Sequence, residues 1–176
     1  VRAIGGAIDR MAAQAEIADL TTRIRSESLM LTDLVRRHTF PFEPKAADRP
    51  DLQQDIINQQ SKLDELIRKL LAITDPADTT ERALITQLQQ ALQAFNGQVD
   101  TVIAKNKSEG AYGPATYHEM GRLTQTYQPA LVSAIGELEK LEAGRAQAAR
   151  VTAQQLVSVT FVALALIALL TVTSVG

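Results

Sequence analysis

Two groups of basic side chains could recognise a small, negatively charged molecule. Arg36 and Arg37 lie near the end of one predicted helix, and Arg122 lies in a later helix, followed by Thr124 and Tyr127. An arginine guanidinium can hold a carboxylate through two parallel, charge-assisted hydrogen bonds. If the two helices are antiparallel neighbours, both groups lie at the same level. The sequence therefore predicts a site in which Arg36 or Arg37 binds a ligand together with Arg122, Thr124 and Tyr127.

A purely structural role is the alternative for these residues, because charges near the end of a helical bundle are often solvated or paired with neighbours such as Glu119. His38 and His118 could suggest a metal site, but two histidines without a third ligand on the same face are weak evidence. We predict no metal and no cofactor. Glu109 and Glu119 lack a partner at the spacing of an acid–base pair, so we also predict that the chain is not an enzyme.

The composition favours helices and excludes several classes of function. Aromatic residues make up only 4% of the chain and Trp is absent, which argues against a β-sandwich or barrel. Gln, Ala, Leu and Glu are abundant, as in helical bundles. The net charge is −2 and Lys and Arg are interspersed with acidic residues, so no nucleic-acid partner is expected. The absence of cysteine excludes disulfides and a cysteine nucleophile.

Four segments carry apolar residues at alternating spacings of three and four, the pattern of helices that pack at a shallow crossing angle. The four series are Ile17, Leu20, Ile24, Leu31 and Leu34; Leu52, Ile56, Leu63, Leu66, Leu70 and Ile73; Leu84, Leu88, Leu92, Phe95, Val99 and Val102; and Met120, Leu123, Tyr127, Leu131, Ala134, Leu138 and Leu141. The first helix is expected to run from near Val1 to about His38.

Three breaks separate these segments, over residues 40–51, 74–80 and 107–114. Pro50 and Pro114 are placed to begin helices, the first after a cap at Asp48 or Arg49. Asp78 and Glu81 form a candidate capping box. Because short connections make successive helices antiparallel neighbours, the pattern predicts an all-α, up-down-up-down four-helix bundle.

Polar residues interrupt the apolar series at a few positions. Glu27 falls between Ile24 and Leu31, and we expect it to reach water or to pair with a base, because an unpartnered buried carboxylate is costly. Gln59 and Gln60 could fix the register of the helices or mark a dimer face. Arg23 and Arg25 flank the seam and are expected to point outward.

The fourth helix contains Pro129 and then continues toward an apolar C-terminus. We expect a kink near Tyr127–Pro129, the alternative being that one helix ends and another begins there. No charged residue follows Arg150, and about 20 apolar residues suffice to cross a bilayer. The pattern therefore predicts a bundle domain over residues 1–150 and a transmembrane helix over residues 151–176, with the fourth helix continuing into it.

This layout resembles the periplasmic sensor domains of bacterial transmembrane receptors, of the methyl-accepting chemotaxis protein or sensor histidine kinase type. The resemblance covers the whole chain and rests on its architecture. It implies a homodimer in the bacterial inner membrane, with the N-terminal domain in the periplasm. It further implies a small-molecule ligand or a periplasmic binding protein as partner. Motion of the last helix would carry the signal to a cytoplasmic module, with a first membrane helix before Val1 and a linker after Gly176.

A second hypothesis is a tail-anchored or accessory membrane-bound interaction protein, since one span and one helical bundle would suffice for either. Arg145 and Arg150 precede the predicted span and would favour a cytoplasmic location of that flank, against the receptor hypothesis. Long domains cross membranes regardless of such charges, so the two hypotheses remain open at this point.

Overall fold

A computed structural model describes residues 2–40, 50–110 and 112–173 of the chain, and these residues are helical apart from short turns. The helices are α1 (Arg2–Thr39), α2 (Pro50–Ile73), α3 (Thr79–Glu109), α4 (Pro114–Arg122) and α5 (Gln128–Thr173), with a π-helical turn, Leu123–Tyr127, between α4 and α5. The α4 helix, the π turn and α5 follow one another without a break. The described chain therefore has no strand and four helical stretches, and the predicted all-α class is confirmed.

The predicted helix starts agree with the structure. Pro50 is the first residue of α2 and Pro114 the first of α4. Asp78 caps α3, because its carboxylate accepts a hydrogen bond of 2.9 Å from the Glu81 amide. The Glu81 carboxylate also accepts a hydrogen bond of 3.1 Å from the Thr74 hydroxyl. The predicted cap at Asp48 or Arg49 lies outside the described residues.

The apolar series form the core of the fold. Their fully buried members include Ile24 and Leu31 of α1, Ile56, Leu63 and Leu70 of α2, Leu88, Leu92 and Phe95 of α3, and Leu123, Leu131 and Leu138. Leu34 and Leu84 are only half-buried, whereas the adjacent Val35 and Ile85 are fully buried. A helix that packs against more than one neighbour buries a wider stripe than the narrow seam that the sequence analysis assumed.

Two polar contacts of the same kind join neighbouring helices. The Gln59 side-chain amide of α2 donates to the Glu27 carbonyl (3.0 Å) and to the Glu27 carboxylate (2.6 Å) of α1. The Gln98 amide of α3 donates in the same way to the carbonyl and the carboxylate of Glu119 in α4, both at 2.9 Å. We call these contacts the two Gln–Glu clamps. Lys62 pairs with Glu27 at 2.6 Å, which confirms the expected partner for that carboxylate.

Two further contacts connect the remaining helices. The Gln60 amide donates to the Asp100 carboxylate at 3.1 Å and so joins α2 to α3. The Arg25 guanidinium makes two hydrogen bonds, of 3.0 and 2.5 Å, to the Glu139 carboxylate of α5. Arg25 is therefore paired across helices and only part-exposed, which corrects its predicted outward position. Arg23 is exposed, as expected, with Asp19 3.8 Å away.

The predicted transmembrane helix is wrong. Within the part of the chain that the structure describes, no helix is both long enough and apolar enough to cross a membrane. The predicted span begins with Thr152, Gln154 and Gln155, so its first turns are polar. The predicted location of the chain in a bacterial inner membrane, with a periplasmic N-terminal domain, depended on this span and is therefore not supported.

The chain forms two compact units, Val1–Lys140 and Leu141–Gly176. The first unit contains the core and all of the contacts between helices given above. In the second unit, Arg145 pairs with Glu142 at 3.0 Å, one turn earlier in the same helix. Val157, Val159 and Phe161 of this unit are more than half exposed.

The turn between α3 and α4 leads to a prediction about two glycines. A Cβ atom added at Gly113 would lie 2.5 Å from Glu109 Cβ, whereas one added at Gly97 of α3 would meet nothing within 4 Å. We expect Gly113→Ala to lower the free energy of unfolding by about 1–3 kcal/mol through this overlap. Gly97→Ala, the matched control, should raise it by about 0.5–1 kcal/mol, because alanine loses less backbone entropy in a helix. Urea unfolding followed by circular dichroism measures both, and a stabilising Gly113→Ala would contradict the prediction.

Candidate ligand-binding site

The structure brings Arg122 and Tyr127 together on either side of the π turn. One guanidinium nitrogen of Arg122 donates to the Tyr127 hydroxyl at 3.0 Å, and its central carbon lies 5.7 Å from the centre of the tyrosine ring. The other terminal nitrogen donates to the Glu119 carboxylate at 3.1 Å. The Arg122 side chain is 47% exposed, so a ligand in solution can reach it.

The π turn explains why two residues five positions apart can meet. In an α-helix the side chains three and four positions apart are neighbours, and those five apart diverge. Here the Gln128 amide donates to the Leu123 carbonyl, a bond between residues i and i+5. Pro129 follows directly and has no amide hydrogen to contribute to an α-helical bond. The chain therefore stays helical through the proline with a local π turn, and does not end one helix and start another.

Thr124 is engaged with its own helix. Its hydroxyl lies 3.1 Å from the Met120 carbonyl and 3.2 Å from the Gly121 carbonyl, and the side chain is half-buried. Such back-bonding satisfies the hydroxyl one turn earlier in the helix. A ligand at Arg122 would have to compete for this hydroxyl.

Arg36 and Arg37 both pair with Asp33 of their own helix, at 2.7 and 2.6 Å. Their side chains are 68% and 66% exposed, and such surface pairs contribute little stability. The hydrogen bonds and ion pairs thus place these two arginines with Asp33, and Arg122 with Glu119 and Tyr127. The joint five-residue site stays a prediction.

Glu119 holds Arg122 and connects it to α3. The hydrogen bond from Gln98 lowers the pKa of the Glu119 carboxyl, and the nearby Arg122 cation lowers it further, against the opposing effect of burial. Glu119 is thus an anion that receives hydrogen bonds from two helices. An anionic ligand of Arg122 would compete with the two present partners of this arginine, Glu119 and Tyr127.

A second group of polar side chains lies where α1 and α3 end and α4 begins, and the sequence analysis considered only one of them, His38. His38, Thr39, Asn106 and Thr116 are 5%, 0%, 8% and 0% exposed. Among the residues that the structure describes, both ring nitrogens of His38 and the side-chain oxygens of the other three have no hydrogen-bond partner. We call these four residues the buried polar cluster.

Their spacing gives a sequence signal for this cluster. His38 lies three residues after Val35, Asn106 lies four after Val102, and Thr116 lies four before Met120. Each therefore continues the apolar series of its helix by one more turn. The sequence analysis ended the series at the last apolar residue and missed these positions.

Three aromatic rings lie beside the buried polar cluster. The centre of the Phe40 ring is 4.7 Å from that of Tyr117 and 5.7 Å from that of Tyr112, and the two tyrosine rings are 6.2 Å apart. Both tyrosines are more than half exposed. Tyr112 has a φ of 73°, a left-handed conformation that is uncommon for a residue with a side chain.

The buried polar cluster contains one titratable group. Burial lowers the pKa of His38, and the Lys107 ammonium of α3 lowers it further, so the ring is neutral at pH 7. The nearest charged residues on α1, Arg36 and Arg37, are exposed, as is His118 of α4. Within the described part of the chain, no three His, Asp or Glu side chains are grouped closely enough to hold a metal ion.

Comparison with known proteins gives no relative, since no family model, curated protein or solved structure matches the chain. The resemblance to bacterial sensor domains and the expected homodimer therefore stay predictions.

The burial of His38 predicts a pH-dependent stability. Because the pKa of His38 is lowered by folding, the unfolded chain binds a proton more readily than the folded chain below about pH 6.5, the pKa of an unperturbed histidine. The contribution of His38 to the free energy of unfolding should be complete above this pH and should decrease as the pH falls below it. Urea unfolding between pH 7.5 and pH 5 measures the slope, with pH values chosen around that pKa. We expect His38→Gln to reduce the slope and His118→Gln, the exposed control, to leave it; equal slopes in wild type and His38→Gln would contradict the assignment.

Proposed function

We propose that this chain is the ligand-sensing part of a bacterial receptor, and that it binds a small carboxylate or an amino acid at Arg122. The observation that carries the proposal is the π turn, with Arg122 and Tyr127 in contact across it. A π turn inside an α-helix is rare and frequently marks a functional site. Here it lies beside a part-exposed arginine, the side chain best suited to grip a carboxylate.

The proposed architecture is the antiparallel up-down-up-down four-helix bundle. Two contacts with the last helical stretch support it: Arg25 of α1 pairs with Glu139, and Phe40, which directly follows α1, contacts Tyr117. The residue number rises along α1 while that of its partner falls, as expected for antiparallel helices. The short connections between successive helices favour the same arrangement.

Ligand binding would act on the π turn through Arg122. The Arg122–Glu119 pair is partly exposed, and pairs of this kind contribute only about 0–1 kcal/mol, so a carboxylate ligand can displace Glu119. When the guanidinium turns to the ligand, its hydrogen bond to Tyr127 is lost as well. That bond spans the π turn, and its loss changes the balance between the π-helical and α-helical forms of residues 123–127.

A shift between these forms would move the helix that follows. A π turn holds one residue more than the α-helical turn it replaces, so its conversion rotates and displaces the residues beyond it. The α5 helix begins directly after the turn and runs uninterrupted from Gln128 to Thr173. Small shifts of packed helices are an established means of switching. The proposed output is therefore a displacement of α5.

A thermal-shift screen of the full chain against organic acids and amino acids tests the binding step. A ligand should raise the unfolding temperature in a concentration-dependent manner, because it binds only the folded chain. Arg122→Ala should abolish this rise, while Arg82→Ala, which removes an exposed arginine of α3, should keep it. A rise that survives Arg122→Ala would show that the proposed site is wrong.

Deletion of Gln125 tests the role of the π turn. Gln125 is exposed and lies in the middle of the turn, so its removal allows residues 123–127 to become α-helical without changing the register of α5. We expect the unfolding temperature to rise by about 2–4 °C, as for a gain of roughly 1 kcal/mol in a chain of this size. Deletion of exposed Ser108 at the end of α3 is the control and should give no such rise. A deletion at Gln125 that destabilises the chain would mean that the π turn is fixed by packing and cannot switch.

A further inference from the structure

We propose that Glu119 determines which ligands bind at Arg122, and that it selects α-amino acids over carboxylates that lack an ammonium group. The inference rests on the proposed function, because it requires a ligand at Arg122, and it chooses between the two classes of ligand named there. In the bound state Arg122 donates to the carboxylate of the ligand, and the Glu119 carboxylate accepts hydrogen bonds from its ammonium group.

Glu119 and Arg122 form an ion pair whose two members differ in exposure. A guanidinium nitrogen of Arg122 lies 3.1 Å from a carboxylate oxygen of Glu119. The arginine side chain is 47% exposed, whereas that of the glutamate is 13% exposed. A flexible, exposed guanidinium can turn toward a ligand and remain in contact with water. The glutamate is the fixed member of the pair, at the contact between α3 and α4.

Gln98 keeps the Glu119 carboxylate in place when Arg122 turns away. The Gln98 side-chain amide donates to the carbonyl and to the carboxylate of Glu119, both at 2.9 Å, and Gln98 is only 5% exposed. This amide is neutral, so it fixes the position of the carboxylate without balancing its charge. A ligand that takes Arg122 therefore leaves a largely buried anion without the cation that it now pairs with, which is costly.

The charge balance at this pair then determines the class of ligand. A simple carboxylate at Arg122 brings a second anion next to Glu119, and like charges repel strongly where water is partly excluded. An α-amino acid is a zwitterion, so it adds no net charge and supplies a cation for Glu119. Its two charged groups are attached to the same carbon atom. One such ligand can therefore reach both members of a pair that are a single hydrogen bond apart.

Isothermal titration calorimetry on the full chain tests the inference with matched probes. L-alanine, L-aspartate and L-glutamate carry the ammonium group, and propionate, succinate and glutarate are the same molecules without it. We expect at least one amino acid to bind about tenfold more tightly than its deaminated counterpart, the effect of one charge-assisted hydrogen bond. Ethylamine, which has the ammonium group alone, should not bind, because Arg122 repels it.

Substitutions of Glu119 show whether this residue causes the preference. Glu119→Gln removes the charge but keeps a side-chain oxygen that can accept from Gln98. The ratio of the two affinities should fall to about one, because the discrimination depends on this charge. The deaminated acid should also bind more tightly than it does to the wild type, since the anion that repels it and competes for Arg122 is gone. Glu119→Asp keeps the charge and should keep the preference.

Glu137→Gln is the matched control. Glu137 pairs with Lys140 at 2.8 Å and three positions away, the same spacing as Glu119 and Arg122, but on the surface of α5. Its substitution removes one carboxylate from an equivalent surface pair and should leave both affinities unchanged. A change in the ratio of affinities in this variant would mean that net charge, and not a residue of the site, sets the preference.

The remaining outcomes separate this inference from the proposed function. If acids and amino acids bind the wild type equally and Arg122→Ala abolishes both, the proposed function stands and the inference is wrong. A preference that is unchanged in Glu119→Gln would overturn the inference as well, because another group then binds the ammonium. If Glu119→Gln does not fold, the wild type and Glu119→Asp decide, since the inference requires the preference in both. No binding of any probe contradicts the inference, while the wider thermal-shift screen decides the proposed function separately.

Discussion

A carboxylate placed in the contact between two helices must be matched by donors on both of them, and Glu119 meets this constraint for the second half of the fold. Gln98 supplies one donor from α3 and Arg122 supplies the other from α4. Arg122 reaches Tyr127 in turn, so the interaction that joins α3 to α4 also determines the contact across the π turn. If Glu119 were apolar, Gln98 would keep only its hydrogen bond to the Glu119 carbonyl, and Arg122 would keep only that to Tyr127. The contact between α3 and α4 and the position of the Arg122 side chain therefore share one anion.

The two Gln–Glu clamps and the buried polar cluster differ in how their polar groups are hydrogen-bonded. The carboxylates of Glu27 and Glu119 accept hydrogen bonds from Gln59 and Gln98 and pair with Lys62 and Arg122, which makes these contacts specific in register. Where α1 and α3 end and α4 begins, several buried polar atoms have no hydrogen-bond partner among the described residues. The first arrangement stabilises one structure.

The helices and most of the core could be predicted because they depend on local pattern. The three–four spacing identified Ile24, Leu63 and Phe95 as buried, and prolines 50 and 114 marked two helix starts. The spacing did not predict the π turn, since the two successive spacings of four at Leu123, Tyr127 and Leu131 also occur at Leu84, Leu88 and Leu92 within the regular helix α3. A pattern of spacing does not, however, give the partner of a polar group. The pairing of Arg25 with Glu139 and the burial of His38 depend on residues that are distant in sequence, and an apolar C-terminal run was taken for a membrane span that the described helices do not provide.

The Gln–Glu clamp between Gln59 and Glu27 opposes sliding of α2 along α1. Gln59 holds both the carbonyl and the carboxylate of Glu27, and Lys62 holds the same carboxylate, so sliding α2 along α1 would break three bonds at once. Small movements between these helices are therefore strongly resisted. Arg25–Glu139, by contrast, is a single part-exposed pair between α1 and α5. The α1–α2 pair can then serve as a fixed reference relative to which the proposed displacement of α5 takes place.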